Sequence, residues 1–302
     1  ANPDALILAE HYGDPAEWLD GEEWDSVMNY DAFMEPVTWF LTGMEKHSDE
    51  ERADLRGNGY AFSHSVAHNM ASYPNSSIQV AMNELSNHDH SRFLTRTNHV
   101  VGRIGVFRPE DAEQNVNPAV MREAVAIQMT WVGAPTVYYG DEAGVCGFTD
   151  PDSRRTYPWG HEDQEMIAFH RDMIAIHRKY PTLRTGSIKL LLAGDNVLAY
   201  ARFDAQAQII TVVNNSDELL QVCIPVWQAE LPQKGSMRRL IYSYENGYTT
   251  EHEEYLIQDG EVVVNLGAYS ALVLKKMEFL KMMRRKVLAC LLFSYSVWVE
   301  LG

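Results

Sequence analysis

The sequence predicts an α/β fold: the C-terminal half of a (β/α)8 TIM barrel followed by a small antiparallel β-sandwich domain. Three observations predict it. Up to about Leu183, short apolar runs alternate with amphipathic helical patterns, which indicates a parallel sheet with crossover helices. Those runs end in polar residues, and polar side chains at the C-terminal ends of parallel strands mark the active face of such a barrel. From about Gly186 to Lys275 the pattern becomes short alternating runs between turn residues, as in a sandwich. The division is 1–183 for the partial barrel, 184–275 for the sandwich and 276–302 for a tail that fits neither.

The elements follow in order. Ala5 to Ala9 (ALILA) is wholly apolar, the pattern of a strand buried on both faces. Val27 to Tyr30, Ile78 to Leu85 and Pro135 to Tyr139 are the further strand candidates. The polar residues at their ends are Glu10, Asn29, Asn87-His88-Asp89 and Gly140-Asp141-Glu142. Pro118 to Trp131 has helical spacing, with Asn117 as N-cap and Pro118 at the first helical position. Asp163 to Lys179 carries a stripe of Met166, Ile167, His170, Met173, Ile174 and His177, closed by Pro181. The sandwich strands are Ile188–Leu192, Val197–Phe203, Ile209–Asn214, Leu219–Ile224, Arg239–Tyr242, Val262–Leu266 and Ser270–Leu274. In the tail, Lys281, Arg284, Arg285 and Lys286 precede VLACLLFSYSVWV, which is too short for a membrane span of about 20 residues. It reads either as a mis-joined reading frame or as an extra amphipathic helix.

A net charge of −17 disfavours nucleic acid and anionic membrane as partners and is compatible with a neutral substrate such as sugar. Cys146, Cys223 and Cys290 form neither a metal spacing nor a paired framework, so the chain reads as intracellular, with a cytoplasmic location expected. No metal or cofactor site is expected in this chain. His64 and His68 lie four apart, but Ser65 stands where a zinc helix of the metalloprotease type needs Glu.

Glycoside hydrolysis needs two carboxylates flanking the scissile bond, and Glu10 and Asp89, each after an apolar run, are the best pair. A carboxyl group at the end of a buried strand is partly desolvated, which favours the protonated form a general acid needs. The plain alternative is that each caps a helix or pairs with an arginine.

Several blocks in one order resemble the α-amylase superfamily, glycoside hydrolase family 13. ALILAEHYGD resembles its strand five, VMNYDAF strand six of the neopullulanase, cyclomaltodextrinase and maltogenic amylase group, and NELSNHDHSRFLTR strand seven. GAPTVYYGDEAGVCGFTDPDSRRTYPW resembles strand eight and its loop, KYPTLRTGSIKLL the domain junction, and GAYSALVL the closing strand. The resemblance implies Glu10 as acid/base, Asp89 as the transition-state-stabilising carboxylate, and His88, beside Asn87, as a hydrogen-bond partner of the same sugar ring. It implies that Asp150 and Arg154 grip the neighbouring sugar; a loop salt bridge is the alternative. His11 stands where relatives often carry a stacking Trp, with Tyr12 or Phe33 as substitutes. The family's nucleophile, an Asp on strand four, has no counterpart in this sequence, so the chain is expected to be a C-terminal part that starts at strand five. The substrate implied is an α-glucan oligosaccharide: a maltooligosaccharide, a cyclodextrin or a pullulan-type chain. Calcium, if used, and the domain that makes the parent a homodimer would lie in the missing N-terminal part. A transglycosylase on the same site and a non-catalytic carbohydrate-binding fragment are the rival readings.

Overall fold

A computed structural model describes residue 2 and residues 4–277. The first half is built on four short parallel strands. β1 (Leu8–Ala9) pairs with β2 (Ser26–Val27), Leu8 opposite Ser26. Three helices follow: α1 (Glu35–Thr42), α2 (Gly59–Met70) and α3 (Asn75–Gln79). They lead into β3 (Met82–Glu84), which a parallel Met28–Met82 bridge joins to the end of β2. After α4 (Phe93–Arg96) and α5 (Pro118–Thr130), β4 (Ala134–Thr136) pairs in parallel with β3. Spatial order therefore equals chain order, which is the arrangement of half a (β/α)8 barrel. α6 (Gln164–Lys179) and α7 (Thr182–Thr185) complete this half.

The strands are shorter than the apolar runs that predicted them. Only Leu8 and Ala9 of the first run are strand, while Leu6 is 60% and Ile7 49% exposed. The run pairs along one edge only among the described residues, so the expectation of burial on both faces is corrected. Tyr30 leaves the strand and opens a π-helical turn to Met34. The Ile78 to Leu85 candidate splits, because its first residues end α3.

The helix ends follow the sequence. Asn117 Oδ1 accepts from Ala119 N at 2.9 Å, capping α5, and Asp163 Oδ1 accepts from Met166 N at 2.9 Å, capping α6. The buried stripe of α6 is Met166, Phe169, His170 and Met173; Ile174 faces solvent, so the predicted stripe is rotated. Pro181 is followed by one more helical turn, α7.

The second half is a nine-stranded antiparallel sheet: β5 (Ser187–Gly194), β6 (Val197–Phe203), β7 (Gln208–Asn214), β8 (Leu220–Ile224), β9 (Lys234–Tyr244), β10 (Gly247–Thr249), β11 (Glu254–Gln258), β12 (Glu261–Leu266) and β13 (Ser270–Lys276). The hydrogen-bonded order is β5-β6-β7-β13-β9-β11-β12-β8, with β10 on β9. The sheet curls until its ends face each other: Val197, Ala199, Ile210 and Val212 share one core with Val222, Ile224, Val262 and Val264. β10 and β11 were not legible as alternating runs.

β6 joins the halves because both its faces are buried. Val197, Ala199 and Ala201 point into the sheet's own core, whereas Leu198 and Tyr200 point into the core shared with the barrel half. Tyr200 meets Trp131 edge-on at 4.7 Å and hydrogen-bonds Thr130 Oγ1 at 2.6 Å. Arg202, on the same face, donates to the carbonyls of Thr130, Trp131, Leu183 and Gly186. One buried guanidinium so closes the C-terminal ends of both α5 and α7. The basic and apolar segment predicted as an atypical tail lies, after Met277, outside the described residues.

Candidate active site

The parallel pairing sets the site, because residues just after the strands emerge at one end of the half-barrel. Glu10 follows β1, Tyr30 follows β2 and Asn87-His88-Asp89 follow β3. One side-chain donor atom each from Glu10, His88 and Asp89 lies within 4.8 Å of the others. Glu10 is exposed, so the expected desolvation is corrected: no strand covers its far side among the described residues.

Tyr30 bridges the two carboxylate strands. Its hydroxyl donates to Glu10 Oε1 at 3.2 Å and accepts from Asn87 Nδ2 at 3.1 Å. Burial, with Glu84, Tyr12 and Glu10 nearby, pushes its pKa far above the ordinary phenol range, so it remains a donor. Asn87 is a hub. Its Nδ2 also donates to Glu84 Oε1 at 2.7 Å, while its Oδ1 accepts from the backbone N of Asp89 at 3.0 Å and of His90 at 2.9 Å. It thus fixes the turn that presents His88 and Asp89. Glu84 is 1% exposed, and burial raises its pKa to about 8 against the pull of the Asn87 hydrogen bond and of Arg96. It is therefore mainly neutral at pH 7. Burial also holds the His90 imidazole neutral, at about 2, with Arg96 adding to the effect.

Asp89 Oδ1 lies 3.4 Å from His88 Nε2 and 3.5 Å from Arg154 Nη2, close enough for charge pairing. The 149–154 loop is fastened to this turn through the main chain. Asp150 N donates to Asp89 O at 3.1 Å, Thr149 Oγ1 donates to the same carbonyl, and Ser153 Oγ donates to His88 O at 2.9 Å. Arg154 Nε also donates to Asp150 Oδ1 at 2.5 Å. Asp150 and Arg154 thus form a loop salt bridge, exposed and beside Asp89.

His11 packs against Trp18 at 4.6 Å and Trp24 at 5.5 Å, away from the triad's hydrogen bonds. Phe33 is fully buried and is excluded as a stacking platform. Tyr12 is half exposed, stacks on Tyr30 at 4.8 Å and has the Lys46 ammonium over its ring at 5.6 Å. The sequence reading missed Tyr30 and Glu84. The signal for Tyr30 was its place at the end of VMNY, and for Glu84 a lone acid inside an apolar strand. Asn29 and Asp141, the other polar strand ends, are structural: Asn29 Nδ2 donates to Asn83 Oδ1 at 2.7 Å, and buried Asp141 pairs with buried Arg92 at 3.1 Å.

Chemically, the cluster offers a carboxylate beside a phenol, a second carboxylate held by an imidazole and a forked donor, and an aromatic face. That set reads vicinal hydroxyls and charge developing on a ring. An imidazole nitrogen with two carboxylate oxygens is also a donor set for a divalent cation, which Arg154 beside Asp89 opposes.

A parallel half-barrel followed by an antiparallel closing β-unit defines the architectural class of the chain. The model of the alpha amylase catalytic domain matches residues 1–185, and that of the alpha amylase C-terminal all-beta domain matches residues 189–277. The chain belongs to the alpha-amylase family. A cyclomaltodextrinase of a Bacillus species is 33% identical over 219 residues, covering 71% of this chain and 34% of that protein. Neopullulanase 2 of Thermoactinomyces vulgaris is 33% identical over 229 residues, covering 74% and 34%. The chain thus spans about a third of the length of these curated relatives. Among solved structures, a cyclomaltodextrinase superposes with a TM-score of 0.69 at 26% identity, covering 91% of this chain and 41% of the other. The native debranching enzyme of Nostoc punctiforme gives 0.70 at 25% identity, covering 90% and 52%. No helix among the described residues is long and apolar enough to cross a membrane.

Proposed function

We propose that this chain carries the acid/base half of a retaining α-glucan hydrolase site acting on maltooligosaccharides, cyclodextrins or pullulan-type chains. The observation that carries this reading is the meeting of Glu10, His88 and Asp89 within 4.8 Å at the shared end of β1 and β3. Glu10 protonates the glycosidic oxygen and then deprotonates the attacking water, with Tyr30 orienting its carboxylate. Asp89, steadied by His88 and Arg154, stabilises the oxocarbenium-like transition state through the ring hydroxyls. Asp150 and Arg154 hold the adjacent sugar, and the half-exposed Tyr12 offers an aromatic edge on the other side.

A retaining mechanism needs a nucleophilic carboxylate about 5–5.5 Å from the acid/base. The spacing of Asp89 alone would fit that distance, but its pairing with His88 and Arg154 favours the stabilising role. The nucleophile then comes from polypeptide this chain does not include. Accordingly, the 302-residue chain should release no reducing sugar from maltoheptaose or β-cyclodextrin above a Glu10→Gln control. Co-expression with the upstream barrel half of a relative should restore turnover. In that reconstituted enzyme, Glu10→Gln or Asp89→Asn should lower kcat by about 10²–10⁴-fold. Turnover by the chain alone would overturn the division of labour; unchanged kcat in both variants would overturn the site. Product analysis with an added sugar acceptor separates hydrolysis from transfer.

A further inference from the structure

A second cavity lies between the two halves and shares no residue with the triad. It has a volume of about 230 Å³, below the roughly 300–1,000 Å³ of sites for larger ligands, which limits an occupant to about one ring. Arg56, His99 and Asn117 line it from the barrel half, and Asn196, Asp217 and Tyr269 from three turns of the β-unit. His99, Asn196 and Tyr269 have φ of 57°, 60° and 42°. Non-glycine residues in this region each carry a cost of about 1 kcal/mol or more and gather where the surrounding structure holds a functional geometry. Three of the seven such residues among those described converge on this one cavity.

Asn117 is taken up by the α5 cap, but the charged and phenolic groups of the cavity are available and balanced in charge. Arg56 forms no ion pair among the described residues, and its side chain meets the His99 ring, with Nη1 3.2 Å from Nε2. The carboxylate of Asp217 and the hydroxyl of Tyr269 make no hydrogen bond to a described residue. Arg56 and Asp217 both act on the Tyr269 phenol, in opposite directions, so they flank it without pairing with each other. His99 is held below the usual imidazole range by burial and by Arg56, which keeps it neutral. One cation, one anion, a phenol and amide groups around a single-ring volume suit neither a bare anion, which Asp217 repels, nor a cation, which Arg56 repels. They suit a neutral polyhydroxyl ring, whose vicinal hydroxyls take a forked donor on one side and a carboxylate on the other.

We infer that this inter-domain cavity is a second sugar-binding site that takes one ring of an α-glucan. The choice of glucan rests on the function proposed above. The test is a ligand-detected NMR titration of maltose on the full 302-residue chain, with melting temperature recorded for every variant. Wild-type chain is expected to bind two maltose molecules and a Glu10→Gln/Asp89→Asn chain one. Adding Asp217→Ala to that double variant is expected to weaken the remaining site at least tenfold, and adding Arg56→Leu at least fivefold. Both side chains are exposed, so the fold should be retained. Binding to the double variant that neither change weakens overturns the site, as does displacement of maltose by inorganic phosphate, which would mark an anion site. If the double variant binds no maltose, this proposal falls and the active-site reading stands. If wild type binds one molecule, lost on Asp217→Ala alone, the second site stands and the active-site reading falls.

Discussion

The two halves of the molecule solve the problem of backbone satisfaction in opposite ways. In the β-unit a continuous antiparallel ladder does it, with strands of up to 11 residues and exposed and buried residues alternating along β12. In the barrel half the strands are two or three residues long, and buried side chains take over. Arg92 donates to the carbonyls of Ser153 and Tyr139, Arg96 to Leu85 O and Thr38 Oγ1, and Gln128 to the carbonyls of Asn83 and Thr136. The difference teaches where chemistry fits. Strand ends joined by charged and amide side chains present such groups at fixed positions beside one another. The cost is buried charge, which tolerates no loss of a partner.

The sharpest way to break the comparison is Arg96→Ala. It leaves Leu85 O and Thr38 Oγ1 unpaired in the core and should destabilise the barrel half by about 3–5 kcal/mol. Denaturant unfolding followed by tryptophan fluorescence measures this; a loss below about 1 kcal/mol would show that the side-chain frame is dispensable. Amide hydrogen exchange gives the next contrast. Residues of β6, β7 and β13 should exchange at the slow, global limit and those of β1 and β2 at least tenfold faster. Equal protection would mean that the short strands are as secure as the ladder.

The third prediction concerns pH. Glu84 has a pKa of about 8 in the folded chain against 4.5 in an ordinary carboxyl. Below about 4.5 both states hold the proton. Between 4.5 and 8 only the folded state holds it, so stability falls as pH rises, and above 8 the loss is complete. Glu84→Gln, which copies the neutral form, should therefore match wild type near pH 4.5 and exceed it by a few kcal/mol at pH 8. A gap that does not widen between these pH values would place the buried charge elsewhere. The smallest effect should come from Asn117→Ala, which removes the α5 cap and costs about 0.5–2 kcal/mol in thermal unfolding.

What could be read in the sequence divides along the same line. The β-unit was legible because short apolar or alternating runs recur between turn residues, as in VLAYARF and EVVVNL, without knowledge of partners. α5 and α6 were legible through Asn117-Pro118 and Asp163. The short barrel strands were overestimated, since an apolar run does not fix ladder length; Leu6 and Ile7 are apolar yet exposed and outside the strand. β10 and β11 escaped because GYT and EYLIQ carry too few apolar positions to show a period. In the site, the acidic and imidazole groups of Glu10, His88 and Asp89 stood out by type and place. Tyr30 and Glu84 did not, because their roles come from a hydrogen-bond path through Asn87 that joins three strands.

Arg202 bears on the order in which the chain takes shape during synthesis. Its guanidinium closes the end of α5 at Thr130, 72 residues earlier. At ribosomal rates of about 5–20 residues per second, those 72 residues take roughly 4 to 14 seconds. For that interval the last full barrel helix before β4 exists with its terminal carbonyls open to water. The barrel half is thus made first and finished second, waiting on the domain that follows it.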